Sequence, residues 1–266
     1  MKKLLALVLA AILVLSFVGC SKTENGELAV GIELTSEEYG IGFRKGSDLT
    51  AEVNKIMAEL TEDGTMKKLA DKYGLVLATS APAEEEKVTL KELDAIKEKG
   101  ELVIGITDYK PMNYKDDKGK WTGFDTEFAQ KVCEKLGIKA KFVEIEWDNK
   151  FVQLESKAID CIWNGMTITD EVLKNTSCSK AYLRNAQVVV MSEEDVREYK
   201  DAKSMKDLKF AVEAGSAGAK AAKENGFKDV VEAAAQTDAF LEVESGACDA
   251  CIIDLTMANA MINKKK

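Results

Sequence analysis

Asp254 closes the apolar run Ala250-Cys251-Ile252-Ile253, while Asp108 and Tyr109 follow Leu102-Val103-Ile104-Gly105-Ile106. Asn164, Gly165 and Thr167 come after a third such run, Ile159 to Trp163, and Trp147 lies beyond a fourth, Ala140 to Ile145. Runs this short and apolar read as buried strands, and polar residues gathered just past strand ends are placed to hold a ligand. Ser216 adds a different chemistry. It precedes the alanine-rich helix 217–224 as a plausible N-cap, so the N–H groups at Ser216 and Ala217 would point outward as a seat for a carboxylate. The chain contains no histidine, which rules out a Ser-His or Cys-His nucleophile and leaves Asp108 and Glu213 as the evident acid-base candidates.

Strands and helices alternate around these positions. After the Leu102 strand comes a helix whose Phe128, Val132 and Leu136 recur every four residues and which Gly137 stops. The strand at 140–145, a further helix and the strand at 159–163 complete a parallel, doubly wound pattern. Trp163 alternates with Asn164 and is expected in the core. A second set runs from the strand 186–191 through the acidic helix start Ser192-Glu193-Glu194-Asp195 to a strand at 209–212, a helix at 239–245 and the strand before Asp254. Ahead of both sets, 28–34 and 38–46 read as two strands. Ser47 or Asp48 then caps a helix with the apolar face Leu49, Val53, Ile56, Met57 and Leu60. A shorter helix, Met66 to Tyr73, follows.

The segment Gly123-Phe124-Asp125-Thr126-Glu127, the Asp108-Tyr109 loop and Gly165-Met166-Thr167-Ile168-Thr169 together resemble the polar amino-acid-binding family of ABC-importer substrate-binding proteins. The resemblance implies an α/β, two-lobed periplasmic-binding-protein-like fold of type II, each lobe a doubly wound sheet and the two joined by crossing strands. It also implies roles. Asp254 would take a ligand ammonium, Thr167 with the backbone at Asn164 and Gly165 the α-carbon end, Tyr109 and Trp147 would sandwich the side chain, and Asp108 would meet its polar tail. The family's carboxylate-gripping arginine has Val172 in its place. Arg184 could substitute or stay a solvated surface residue, or Thr167, Ser216 and the backbone at 216–217 could carry the carboxylate alone.

Relative to that family the order is rotated. Residues 38–46 and the helices after them normally finish the chain, and here they begin it. The small, acidic stretch Ala78 to Glu86 has the composition of a flexible linker. The reading is a circular permutation: lobe 1 at 42–187, containing the linker 76–89, and a discontinuous lobe 2 from 27–41 and 188–266. Its function is expected to be capture of a polar amino acid or similar small metabolite for a membrane permease, without a cofactor and as a monomer. A dehydratase-like enzyme of the same fold and a ligand sensor are the alternatives.

Lys2, Lys3 and the apolar run Leu4 to Val18 ending at Gly19-Cys20 read as a lipoprotein signal peptide, which would leave Cys20 lipidated on the outer face of a membrane. A net charge of −9 with no basic stripe disfavours nucleic acid. The remaining cysteines, Cys133, Cys161, Cys178, Cys248 and Cys251, read as buried thiols; a Cys133–Cys161 bridge stays open.

Overall fold

The computed structural model describes residues 27–79 and 87–262. The leader, Cys20 and most of the acidic linker, 80–86, fall outside the described residues. A single long strand, β1 (Leu28–Phe43), replaces the two short ones expected there. The polar interval Thr35-Ser36-Glu37 reads as a break, but it pairs with Gln187, Ala186 and Asn185 and so continues the ladder. Register shifts between Val30 and Thr35 bend the strand at that point.

In chain order there follow α1 (Leu49–Glu62), α2 (Thr65–Tyr73), α3 (Leu93–Lys99), β2 (Glu101–Ile106), the small hairpin β3 (Tyr114–Lys115) and β4 (Trp121–Thr122), and α4 (Phe124–Leu136). Next are β5 (Lys139–Glu144), a 3-10 turn at Trp147–Asn149, α5 (Lys150–Glu155), β6 (Cys161–Thr167), α6 (Asp170–Asn175) and β7 (Ser177–Cys178). The chain then runs through β8 (Leu183–Ser192), α7 (Glu193–Glu198), β9 (Lys209–Glu213), α8 (Ala217–Glu224), β10 (Asp229–Ala233), α9 (Gln236–Glu244), β11 (Ala250–Asp254) and α10 (Leu255–Ile262).

The lobes' sheets are continuous. Strand order is β10-β9-β11-β8-β1-β6-β2-β5, with β7 beside β1. β2 pairs in parallel with β5 and β6, and β9 with β10 and β11, which are the two wound halves. Between them β1 and β8 run antiparallel and belong to both. Two extended strands shared by two lobes make a hinge, because small backbone rotations along them change the angle between the halves.

Apolar packing holds each half. Phe128 sits edge-on to Trp163 at 4.8 Å between ring centroids, so Trp163 lies in the core. In the other half, Phe210 stacks on Phe227 at 4.2 Å. A buried ion network ties the start of the chain to the segment beyond the linker: Arg44 Nε donates to Glu92 Oε1 at 2.6 Å and its amino groups to Leu154 O, Ile159 O and Asp160. Asp48 precedes α1 as expected, yet its carboxylate caps α3, accepting from the N–H groups of Glu92 and Leu93. Cys133, Cys161, Cys178, Cys248 and Cys251 are free thiols, so the Cys133–Cys161 bridge is not formed. Burial pushes the Cys133 and Cys178 thiols up to about 12. No helix among the described residues is long and apolar enough to cross a membrane.

Candidate functional site

The motif Gly123-Phe124-Asp125 works from behind the cleft. Gly123 has φ +118°, and a Cβ there would lie 2.2 Å from Met112 O, so the helix start fits only glycine. That placement aims Asp125, fully buried, at the end of β6: its Oδ2 accepts from Gly165 N at 2.6 Å and from the Tyr182 hydroxyl at 3.0 Å. Gly165 is itself held at φ +56°, with Tyr109 Cε1 2.7 Å from where a Cβ would stand. Burial pushes Asp125 up to about 7, against the pull of the Gly165 N–H and the Tyr182 hydroxyl.

Beyond that frame, the lobes meet around a polar cavity. Trp147, Asn164, Gly165, Thr167 and Val172 line it from one side, and Glu213, Ser216, Ala217 and Asp254 from the other. About 50 Å³ of free space remains, room for a few waters, so the lobes must part to admit a metabolite. The halves touch at several points. Lys150 Nζ donates to Gly215 O at 3.0 Å, the Thr237 hydroxyl to Asp108 O at 3.2 Å, and the Tyr109 and Thr256 hydroxyls lie 2.6 Å apart.

Two expected site residues lie off this lining. Tyr109 is buried behind it, because the Tyr109 to Asn113 turn closes on reciprocal backbone bonds and directs the ring towards Gly165. Its hydroxyl is 2.5 Å from that of Tyr39, so it belongs to a hydroxyl cluster at the hinge. Asp108 is exposed and reaches the other lobe through its backbone carbonyl. Arg184 is also exposed; its guanidinium donates to Thr79 at the protein surface.

The lining residues differ in how far their polar atoms are already occupied. Asn164 Oδ1 accepts from Thr107 N and Asn113 Nδ2, and its amide donates to the Thr107 hydroxyl, so it braces two strand ends. Thr167 donates its hydroxyl to Glu37 Oε1 at 3.0 Å. Ser216 caps α8 by accepting from Ala219 N, as expected, but its own N–H donates to Glu213 O. Val172 is packed among Trp147, Leu154 and Met166; its side chain supplies no donor, and its N–H donates to Thr169 Oγ1.

Asp254 is buried at the end of β11. Its Oδ1 accepts from Gln187 Nε2 at 2.8 Å and from Asn185 Nδ2, its Oδ2 from Gln236 Nε2, and its N–H donates to Gln236 Oε1. Burial first, and then the nearby Glu37 carboxylate, push it up to about 7 against the bonds from Gln236, Tyr39 and Asn185. Glu213 ends β9 only 3% exposed, and burial followed by the Asp254 charge pushes it up to about 8; Lys150 and the Gln236 N–H oppose this. Burial lowers Lys150 from the ordinary lysine value, while Glu171, Glu213 and Asp148 hold it up. Sequence reasoning missed Lys150, Glu171, Gln236 and Glu37. A lysine after a loop or a glutamine at a helix start carries no pattern that separates it from the surface.

Two wound α/β halves hinged on a pair of shared strands, closing on a polar cavity, define a bilobal solute-binding protein. The model of the bacterial extracellular solute-binding proteins, family 3, matches residues 102–237, and the chain belongs to that family. It is 34% identical over 125 residues to the L-cystine-binding protein TcyJ of Escherichia coli (strain K12), 47% of each chain. It is 32% identical over 123 residues to the cyclohexadienyl dehydratase of Pseudomonas aeruginosa, 45% of this chain and 44% of that one. The chain thus spans about half the length of these curated relatives. Among solved structures, the arginine-bound form of truncated ArgBP from T. maritima superposes with a TM-score of 0.61 at 32% identity, covering 64% of this chain and 81% of that one.

Proposed function

We propose that this protein captures a small, polar, amine-bearing metabolite between its lobes and delivers it to the membrane permease of an ABC importer. The observation that carries the reading is Asp254: a carboxylate inside a closed interlobe cavity, oriented by three amides, in a chain of a solute-binding family. Its environment favours an arriving cation, which would replace the neutralising proton. Opening at β1 and β8 admits the ligand, and closure brings Lys150 back onto Gly215. Trp147 offers an aromatic wall. Anchoring through a lipid on Cys20, an extracytoplasmic location and a monomeric state complete the proposal.

Titration calorimetry with a panel of free amino acids and their amine derivatives tests it. Saturable one-site heat from at least one member is expected; a folded sample that binds none sinks the capture reading.

The rotated order is part of the proposal. Leu28 and Ile262 line the same recess, and Gly46 O accepts from Thr89 N and Leu90 N across the linker. A gene that joins 262 to 28 and opens within 80–86 should give a protein with the same affinity. Loss of binding in that folded variant would argue against the rotation.

A dehydratase-like activity is the second reading, favoured by Glu213, an acid lining the cleft that burial pushes up to about 8. Mass spectrometry of the ligand recovered after incubation separates the two: an unchanged mass supports capture.

A further inference from the structure

A cleft for a free amino acid must answer two charges, an ammonium and a carboxylate. This one is equipped for the first. Glu213 and Asp254 line it from lobe 2 and Glu171 from lobe 1, and among the described residues none of the three makes an ion pair. The N–H of Ala217 at the start of α8 apart, the groups that would grip a carboxylate are absent or engaged. Position 172 is valine, the Thr167 hydroxyl donates to Glu37, the Ser216 N–H donates to Glu213 O, and Arg184 faces Thr79. Of the two lysines on the lining, Lys150 is buried and donates to the carbonyls of Trp147 and Gly215, and Lys220 is exposed and pairs with Glu224 at 3.8 Å.

We infer that the ligand is a small organic dication without a carboxylate, a diamine or a guanidino-amine, whose two cationic ends pair with Asp254 and Glu213. The inference rests on the capture reading and narrows it. Asp254 has three amide donors on its carboxylate, whereas Glu213 receives the backbone N–H of Gln236 and has no amide side chain bonded to it among the described residues. A buried carboxylate so thinly solvated is stabilised most by a ligand cation. A ligand carboxylate brought beside these acids would be repelled.

Calorimetric titration with matched pairs that differ by one carboxylate tests this: agmatine against arginine, cadaverine against lysine, putrescine against ornithine. At least one carboxylate-free member is expected to bind roughly tenfold or more tightly than its amino-acid partner. An amino acid that binds as tightly as its decarboxylated partner overturns the inference while leaving capture intact. Binding confined to neutral amino acids does the same, and a folded protein that binds nothing removes both. As a second arm, Glu213→Gln should weaken the best amine by roughly tenfold or more, because one cationic end loses its buried partner. Unchanged affinity in that variant, with its melting temperature retained, would overturn the pairing.

Discussion

The two walls of the cleft are built on opposite principles. On the lobe 1 side, the polar side chains at the strand ends are occupied by their own neighbours: Asn164 by Thr107 and Asn113, Asp125 by Gly165 and Tyr182, and Thr167 by Glu37. On the lobe 2 side, Glu213 and Asp254 are buried acids that make no ion pair among the described residues, with Lys150 acting on Glu213 only from a distance. The first wall is a frame, held by hydrogen bonds between its own residues, with Asp125 Oδ1 left as its one buried carboxylate oxygen without a partner among the described residues. The second is the part with unanswered charge. The residues most recognisable as family motif therefore hold the site's shape, and on the proposed reading the choice of ligand falls to Asp254, which its strand end marks, and to Glu213, which no motif marks.

The largest effect should come from breaking the frame. Gly123→Ala puts a methyl group 2.2 Å from Met112 O at φ +118°, where only backbone can yield. A loss of roughly 3 kcal/mol or more is expected by chemical denaturation. A loss under about 1 kcal/mol would show that the α4 start is not the rigid post described above.

Next is Asp254→Ala, aimed at the charged wall. It should weaken ligand binding by roughly 30-fold or more, since the ligand's cation would be left buried and unpaired. Asn185, Gln187 and Gln236 would also lose their shared acceptor. Unchanged affinity in titration calorimetry would move the site elsewhere.

The same contrast explains what could be read without coordinates. The wound halves were legible because Phe128, Val132 and Leu136 keep helical spacing, and because apolar runs such as 102–106 and 250–253 mark buried strands. The continuity of β1 was not, since Thr35-Ser36-Glu37 is polar for the cleft's sake: Glu37 accepts from Thr167, Asn185 and Gln187. The edge strand β10 carries Asp229 and Glu232 and offers too little alternation to find. At the site, strand ends located Asp254, Asn164 and Thr167. Spacing does not say which way a loop side chain turns, so Tyr109 was expected beside the ligand and lies at the hinge.

Acidity of the ligand-free protein gives a third, graded test. Asp125 and Asp254 are pushed up to about 7 and Glu213 to about 8, all first by burial. Unfolded, these carboxyls titrate near pH 4. The folded state thus binds more protons between about pH 4 and 8, and the stability these groups contribute is full below that window and lost as pH rises through it. Groups around Glu213 are Asp254, Lys150 and Asp238; around Asp254 they are Glu37 and Tyr39. Asp63, Glu127 and Asp201 are held below their ordinary values, so their contribution disappears only at lower pH. Denaturant unfolding should therefore show the free protein more stable at pH 5.5 than at pH 8, with Glu213→Gln flattening the upper part of the slope. Equal stability at both values would mean that none of the three buried acids holds its proton as described, and an unchanged slope in Glu213→Gln would remove Glu213 from the strained wall.

Lys150 connects the walls. Lys150→Met removes the donation to Gly215 O across the cleft, a charge-assisted bond on the order of 1.5 kcal/mol, and should shift the protein towards the open form. A larger radius of gyration in solution scattering of the free protein is expected. An unchanged radius would mean that the hydroxyls of Tyr39, Tyr109 and Thr256 hold the lobes together without it.

The smallest effect is expected at Arg184, and its smallness is informative. On β8, Leu183 and Asn185 are buried while Arg184 between them is exposed. Neighbours on a strand face opposite ways, and Asn185 bonds Glu37 and Asp254, so the guanidinium at 184 leaves on the far side of the sheet from the cavity. Arg184→Ala should keep ligand affinity within roughly twofold and stability within about 0.5 kcal/mol. A tenfold loss of affinity would mean that the arginine swings round to meet a ligand carboxylate. The cleft would then hold a cation aimed at a ligand carboxylate, and the preference for a ligand without a carboxylate would lose its physical basis.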